Sequence, residues 1–519
     1  MSRKQGPRLQ AGDATGRDCR RTPTAPISEP RRWIGGGGMS RKQSISYALC
    51  AALLLVGCAA VGPDYERPAM SLPGAYPDAP ADLGAAAVPA AWWKLYGDQQ
   101  LDELVASALA RNADLRIAVA RIEEADANLR EAGAAFLPEV DLGGTPQRQR
   151  ISGAAATPVP ASIPLVRNDM RFTLGTSFEL DFWGKLRRAL EATRALALGS
   201  RYAKEVVTLS LAGLTTQAYF SLRSLDAQSA VVRKSLGSRE EALTFVRNRA
   251  RGGIASDLDV NQAELARADA SAQLKDLLRQ RALVEHQLGS LTGRLDLTLA
   301  SGDLLTLPMP PLPPAGLPST LLERRPDIRQ AEQQLIATNA QIGIAKAAMF
   351  PTISLTSYLG SQSSGLSTLL GGGASIWSLG FGLTLPIFDA GRYAARTEAA
   401  EARQKQAVGG YQRAVETGFR EVADALANLM QTTAAEEDQQ ARAQAARNVL
   451  RLANLRYEAG YSAYLEVLDA QRGANEAELA FLRNRQSRLA ASVDLMKALG
   501  GGWSADPVRV SDAAGGGAK

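Results

Sequence analysis

The chain carries one long unit twice, and that duplication limits what it can fold into. Residues 112–142 align without a gap on residues 325–355, offset by 213 positions. Asp114, Arg116, Ala118, Ala127, Ala132, Ala134, Ala135, Pro138 and Leu142 match Asp327, Arg329, Ala331, Ala340, Ala345, Ala347, Ala348, Pro351 and Leu355. Further on, 252–260 (GGIASDLDV) aligns with 459–467 (AGYSAYLEV), Leu288 with Leu495 and Gly293 with Gly500, now at offset 207. The six lost residues fall in the stretch between Pro138 and Gly184. A period this long is not that of a stacked solenoid, whose units run to about 20–50 residues. It describes a duplicated half-molecule.

The leader changes how the charge is read. Met39 opens a short basic segment (Arg41, Lys42), followed by an apolar run from Ile45 to Val56 and then Leu55-Val56-Gly57-Cys58. A basic segment plus a short apolar run is a secretory signal, too short for a stable spanning helix. Leu-Val-Gly-Cys resembles a bacterial lipobox, which makes Cys58 the acylated (palmitate-bearing) first residue of the mature chain; the alternative is an ordinary signal peptide with an incidental cysteine. Ala59 and Ala60 carry no inner-membrane retention signal, which favours the outer membrane. Residues 1–38 precede this signal and repeat its opening Met-Ser-Arg-Lys-Gln, so they are expected to be a non-native extension, with translation starting at Met39. Residues 1–57 hold ten Lys/Arg against three Asp/Glu, so the net charge of +6 belongs to the leader and the remainder is close to neutral. Nothing then argues for nucleic acid as a partner. Of three cysteines only Cys58 lies beyond the signal, so no disulfide within one mature chain is expected.

Residues 58–90 are Pro/Ala-rich and read as an extended tether. The first structural repeat is expected over 91–300, a Pro-rich linker over 301–318, the second repeat over 319–505 and a flexible tail over 506–519. Within the repeats the helices are long. Residues 98–135 read as one amphipathic helix with Leu101, Leu104, Val105, Ala108 and Leu109 at helical spacing. From about 185 to 250 there is no proline, and a helix of that length spans about 100 Å at 1.5 Å per residue. The second half repeats this from about 392 to 458, and return helices follow at about 255–292 and 462–499. Such lengths indicate coiled-coil packing.

Between the helices the period changes from 3.6 to 2. Phe172, Leu174, Phe178 and Leu180 alternate with small or polar residues, as do Trp377, Leu379, Phe381 and Leu383. One apolar and one small, polar face is how a membrane-barrel strand reads, with these eight side chains toward lipid; two hairpins covering a soluble core is the alternative. Strands are expected at about 139–150, 169–182, 352–361 and 376–388, joined by loops over 152–164 and 360–375. Four strands cannot close a barrel around a channel, so a barrel requires strands pooled from several chains.

The segments WWKLYGDQQLDELVASALARNADL (92–115), LPSTLLERRPDIRQAE (317–332), AAMFPTISL (347–355) and RYEAGYSAYLEVLDAQR (456–472) resemble the TolC-like outer-membrane efflux channels. With the lipobox, the resemblance is to the lipoprotein branch serving proton-driven (RND-type) exporters, and it covers about 65–505. It implies a mixed α+β membrane protein. In a homotrimer, each chain would give four strands to a twelve-stranded barrel and helices to a coiled-coil periplasmic tunnel closed at its inner end. It implies partners too: a periplasmic adaptor and an inner-membrane pump, which in this family largely sets the choice of drug, detergent or metal ion. In the family, carboxylates at the turns between long and return helices line the closed end. The matching residues here are Asp257 and Asp259 in the first half, and Glu466 and Asp469 in the second. A ring of carboxylates repels itself unless hydrated or cation-bound, and favours cation entry; the alternative is an ordinary acidic first turn. Tyr457 matches a family tyrosine that ties the gate by hydrogen bonding. Its arginine partner position is Ser462 here, so the latch differs, and simple helix packing by Tyr457 is the other reading.

Other groups take plain readings. Arg324-Arg325-Pro326-Asp327 reads as a helix entry, Trp92 and Trp93 as core, and the adjacent pairs Glu123-Glu124 and Glu436-Glu437 as surface. His286 is the lone histidine, so neither a His-based triad nor a multi-His metal site is expected in one chain. No phosphate-binding Gly-rich loop precedes a helix. No cofactor, no resident metal and no catalytic activity are expected. A lipid-anchored adaptor with a single helical hairpin would explain the lipobox but not two hairpins plus paired amphipathic strands. A lipid-anchored enzyme lacks any reactive constellation.

Overall fold

Each half runs helix, two-strand hairpin arm, very long helix and return helix. The computed structural model describes residues 60–76, 88–154, 160, 162–311 and 321–503, all within one compact unit, Gly57–Lys519. Cys58, the 1–38 extension, the 39–57 signal, part of the tether, residues 312–318 of the linker, the first two residues of the second repeat and the 506–519 tail lie outside the described residues. The elements are α1 (Gln99–Arg111), α2 (Ala113–Ala134), β1 (Glu139–Arg150), β2 (Val166–Leu180), α3 (Lys185–Arg251) and α4 (Asp257–Thr292). They continue as α5 (Pro326–Ala347), β3 (Thr352–Ser363), β4 (Ser375–Thr384), α6 (Arg392–Glu458) and α7 (Tyr464–Ala498). The helices α2 and α5 have 22 residues each, and α3 and α6 have 67 each.

The strands form one antiparallel sheet in the order β1-β2-β3-β4. The helices continuous with them lie side by side in the same order: α2 packs on α3, α3 on α5 and α5 on α6. Every strand therefore passes its lateral position to a helix. At the corners Gly184 and Gly391 take left-handed φ of 79° and 82°, which bends strand into helix without a Cβ penalty. Asp181 accepts hydrogen bonds from the Leu186 and Arg187 amides, and Asp389 from the Gly391 and Tyr393 amides, so a carboxylate satisfies each long helix's first free N–H groups.

Four expected boundaries change. The helix expected over 98–135 is two helices, because Asn112 leaves helical geometry (ψ 138°) and its side chain caps the Asp114 amide. The strand expected over 376–388 stops at Thr384, just before Pro386, which has no N–H to donate to a ladder. The second strand runs 166–180 rather than 169–182, since Asp181 is taken by the cap. Strand β3 also runs through Ser363, into what reads as loop from 360.

Residues 60–76 have no regular secondary structure, yet they are strapped to the helices rather than left as a free tether. The Arg188 guanidinium holds Asp64 at 2.7 Å, Tyr65 and Arg67 both donate to Glu332, and Tyr76 stacks on Phe419 at 5.1 Å. Gly62, with φ of 105°, lies where an added Cβ would come within 2.6 Å of the Gly343 Cα, so the strap reaches α5 through two glycines.

Midway along α3, an apolar core gathers Trp92, Tyr96, Leu101, Leu104, Tyr219, Phe220 and Leu222 with Leu288, Leu489 and Leu495. Trp92 is fully buried, as read from sequence, and the Tyr96 hydroxyl meets Ser492 at 2.6 Å. Arg325 is a buried helix entry: Asp327 and Glu421 each lie at 2.7 Å and it donates to the Ala498 carbonyl. Glu436 is not a surface residue, because it bridges Arg485 (3.0 Å) and Arg488 between α6 and α7.

Asp226, its carboxylate 2% exposed, binds Arg281 at 2.7 Å, Arg223 at 3.1 Å and the Gly302 amide. Those arginines also donate to the Leu299 and Ala300 carbonyls, which fixes the start of the inter-repeat linker on α3 and α4. Removing one member of a buried ionic cluster leaves an uncompensated charge and costs about 3–5 kcal/mol. Asp226→Ala should therefore lower the melting temperature by several degrees in detergent, followed by circular dichroism, whereas an unchanged transition would show that the cluster contributes little.

Candidate functional site at the helical turns

Two places bear on function: the turns at the ends of the helical hairpins, and the sheet face. In the first turn α3 ends at Arg251, the chain reverses through Gly252 and Gly253, and Ser256 begins α4. Ser256 and Asp259 form a reciprocal capping box, with the Asp259 carboxylate accepting from the Ser256 amide (2.9 Å) and hydroxyl (2.8 Å). In the second turn the N-cap position is Ala463, which has no side-chain oxygen to offer. Glu466, the counterpart of Asp259, reaches across the turn instead and pairs with Arg456 at 3.2 Å. Asp469 pairs with Arg472 one helical turn on, at 2.7 Å. Both acid pairs are well exposed, and each is worth at most about 1 kcal/mol to the fold. Asp257 stands in the exposed first turn of α4.

Tyr457 sits between the two hairpins. Its ring lies 5.3 Å from Tyr464 and 6.1 Å from Phe245, with the Arg249 guanidinium 5.2 Å over its face. Leu243, Val246, Ala263, Ala453, Tyr464 and Val467 form a small apolar core beneath. The phenol of Tyr457 makes no hydrogen bond among the described residues, and the Ser462 hydroxyl is buried without a partner. What joins the hairpins here is aromatic and cation–π packing. Phe245, Arg249 and Tyr464 were not picked out from sequence, although Arg249 aligns with Arg456 in the repeat.

Burial pushes the Tyr464 phenol up from 10.0 to about 12, with a smaller contribution from Tyr457 beside it. Burial likewise raises Tyr457, partly offset by Arg249.

The sheet register decides which side chains share a face. Directly paired residues point the same way, so Leu142, Leu174, Leu359 and Trp377 form one cross-sheet row. Phe178, Leu355 and Phe381 form a second row, Leu180, Ile353 and Leu383 a third, and Val140 and Leu379 flank Thr176 and Ser357 in a fourth; Phe172 lies beyond the first. All eight apolar residues singled out from the alternation thus fall on a single face. Trp377, Leu379, Phe381 and Leu383 are each more than 60% exposed. The other face carries Asp141, Thr173, Glu179, Ser354, Tyr358 and Gly380, with Arg171 over the Tyr358 ring. No helix among the described residues is long and apolar enough to cross a membrane. Among the described residues no group of three or more His, Cys, Asp or Glu is placed to hold a metal.

The fold and this face, with the matches that follow, place the chain among outer-membrane transport proteins. The family model for outer membrane efflux proteins matches residues 104–294 and 317–501, and the chain belongs to that family. It is 36% identical to the outer membrane protein OprJ of Pseudomonas aeruginosa over 475 residues, covering 89% of this chain and 97% of that protein. It is 35% identical to the cation efflux system protein CusC of Escherichia coli over 465 residues, covering 88% and 98%. Among solved structures, the CmeC outer membrane channel of Campylobacter jejuni superposes with a TM-score of 0.80 at 26% identity, covering 86% of this chain and 96% of that one.

A raised phenol pKa means that the folded state favours the neutral form. That stability is complete below the unfolded value near 10 and is lost as pH rises through about 12. Burial also raises the phenols of Tyr65, Tyr76, Tyr96 and Tyr219, so a tyrosinate absorbance titration should show a late rise shared by several tyrosines, from which Tyr464→Phe removes one phenol's share near pH 12. Because the hydroxyl is buried without a partner, the substitution should change stability by less than about 1 kcal/mol. A late rise of undiminished amplitude in the variant would refute the assignment.

Proposed function

We propose that the protein is the outer-membrane channel of a tripartite export system, a homotrimer whose twelve pooled strands close a barrel and whose helices continue it as a periplasmic tunnel. The observation that carries this reading is the matched pair of open-edged layers. Strands β1 and β4 each have one unpaired edge, and α2, at the border of the helical layer, buries only Ala118 among its 22 residues. A helix so little buried and a strand so long with a free edge both need a neighbour. Copies of the same chain, set edge to edge, supply one to each at the same time. The apolar rows then face lipid and the polar face lines water. Acyl chains on Cys58 would add to the anchoring provided by the barrel.

Conduction is passive. A periplasmic adaptor and an inner-membrane pump supply the opening free energy by binding the open state better than the closed one. The gate is the ring of hairpin turns, where Asp259, Glu466, Asp469 and Tyr457 from three chains converge. Opening splays α4 and α7 outward at their inner ends. The paired arginines 456 and 472 hold the acids on their own chain, so the closed ring is less self-repelling than bare carboxylates would be. Cargo varies among relatives, CusC being named for cation efflux, and here it is assigned to the pump.

Purified protein should run as a heat-resistant trimer and give small, cation-preferring single-channel currents in planar bilayers. Glu466→Ala/Asp469→Ala should raise the conductance and weaken the cation preference. Currents unaltered by that double substitution would move the gate elsewhere, and a trimer with no conductance would overturn the channel reading.

A further inference from the structure

The sheet's apolar face does not run the full length of the β1–β2 hairpin. From Leu180 to Met170 the outward residues of β2 are apolar apart from Thr176, a span of about 33 Å along the strand at 3.3 Å per residue. Tilted by about 40°, that is a band about 25 Å tall, the height expected for an outer-membrane barrel. Met170 pairs with Pro146, and there β3 ends, at Ser363. The hairpin continues past β3, and its next two outward positions on β1 are Arg148, opposite Asn168, and Arg150, opposite Val166.

Both arginines are exposed, and neither makes an ion pair or hydrogen bond among the described residues. No acid shares their face at this level. The nearest carboxylate along the strands, Asp169, pairs with Gln147 on the opposite face and accepts from Gln362 at 2.8 Å. Residues at i and i+2 are about 7 Å apart along the backbone and share one side of a strand. They start one residue pair beyond the apolar band, at the end of the sheet away from the helices.

We propose that Arg148 and Arg150 form a phosphate-binding rim that holds anionic lipid of the outer leaflet against the barrel, one site per protomer. The inference rests on the barrel reading above. Acyl chains would lie along the rows containing Leu142, Leu174 and Phe172, while the headgroup phosphates meet the two guanidiniums. A guanidinium offers a planar fork that matches phosphate bidentately, and its apolar stem can lie along the upper edge of the band. The opposite-facing Arg167, paired with Gln149, points toward the lumen and takes no part.

The test uses the full-length trimer, titrated with bis-phosphorylated lipid A, dephosphorylated lipid A and inorganic phosphate, with binding read by native mass spectrometry. Phosphorylated lipid A should bind Arg148→Gln/Arg150→Gln about thirtyfold more weakly than wild type, on the scale of one basic contact per arginine at a charged surface. Arg167→Gln should bind it like wild type, and dephosphorylated lipid A should not discriminate among the three. Equal affinity of wild type and double variant, or an equal loss in Arg167→Gln, would overturn the rim. Displacement of the lipid by inorganic phosphate alone at millimolar concentration would mark a free-anion site and overturn the lipid assignment. Heat resistance and conductance are recorded on the same samples. Trimers that conduct but show no arginine-dependent binding refute the rim and leave the barrel standing, whereas wild type that neither trimerises nor conducts refutes both.

Discussion

An antiparallel sheet of four strands with two free edges and one apolar face is not a self-sufficient object in water or in lipid. In water the apolar face stays wet. In lipid the unpaired N–H and C=O groups of β1 and β4 would each cost several kcal/mol. Edge-to-edge closure with other copies, as proposed, would remove both costs at once, because it would pair the edges and leave the apolar rows facing outward. The rest of the chain is arranged around that requirement. Each strand leads into or out of a helix in the same lateral place, so any closure of the sheet also closes the helical layer.

The registry between sheet and helices has to be kept over helices of 67 residues, and the chain does this with polar fixings at widely spaced levels. Near the sheet, Asp181 and Asp389 cap the long helices and Arg188 on α3 holds the start of the strap, which continues past Glu332 on α5 to Phe419 on α6, at the level of the Arg325 cluster. Midway, the Asp226 and Arg325 clusters fasten the linker and the entry of α5. Toward the turns these fixings give way to a few aromatic contacts and exposed ion pairs. Buried polar fixings are therefore sparsest where a gate would have to move, as expected of elements drawn into conformational change. The two turns are also unequal: the first is stiffened by a capping box, the second by a cross-turn ion pair that competing charge or salt can release.

Much of this was legible in the sequence because it is periodic. The 67-residue helices and the alternation that places eight apolar residues on one face follow from local pattern. The internal alignment also pairs Asp259 with Glu466, both at the third position of their helices. The misreadings share one cause, a local pattern overridden by a single side chain. Asn112 caps and breaks a helix whose apolar period runs on through it, and Pro386 lies just beyond the last pair of β4 while the alternation continues to Leu385. Contacts distant in sequence left no trace at all. Glu436 reads as surface until Arg485, 49 residues on, is folded against it, and the strap has no period to betray that Tyr65, Arg67 and Tyr76 are anchors. At the turns the acids were visible as charge, whereas Phe245, Arg249 and Tyr464 become a cluster only once the two hairpins meet.

Closure of the sheet by neighbouring copies is most directly measured by disulfide trapping in intact outer membranes. Single cysteines along 139–145 of β1 are combined with single cysteines along 375–383 of β4, and the products are separated by size. Oxidation should link chains into ladders ending at a trimer, at a restricted set of β1–β4 pairs on one face and with one consistent stagger. Cross-links formed only within a chain, or none at any pair, would contradict the claim that copies of this chain complete one barrel.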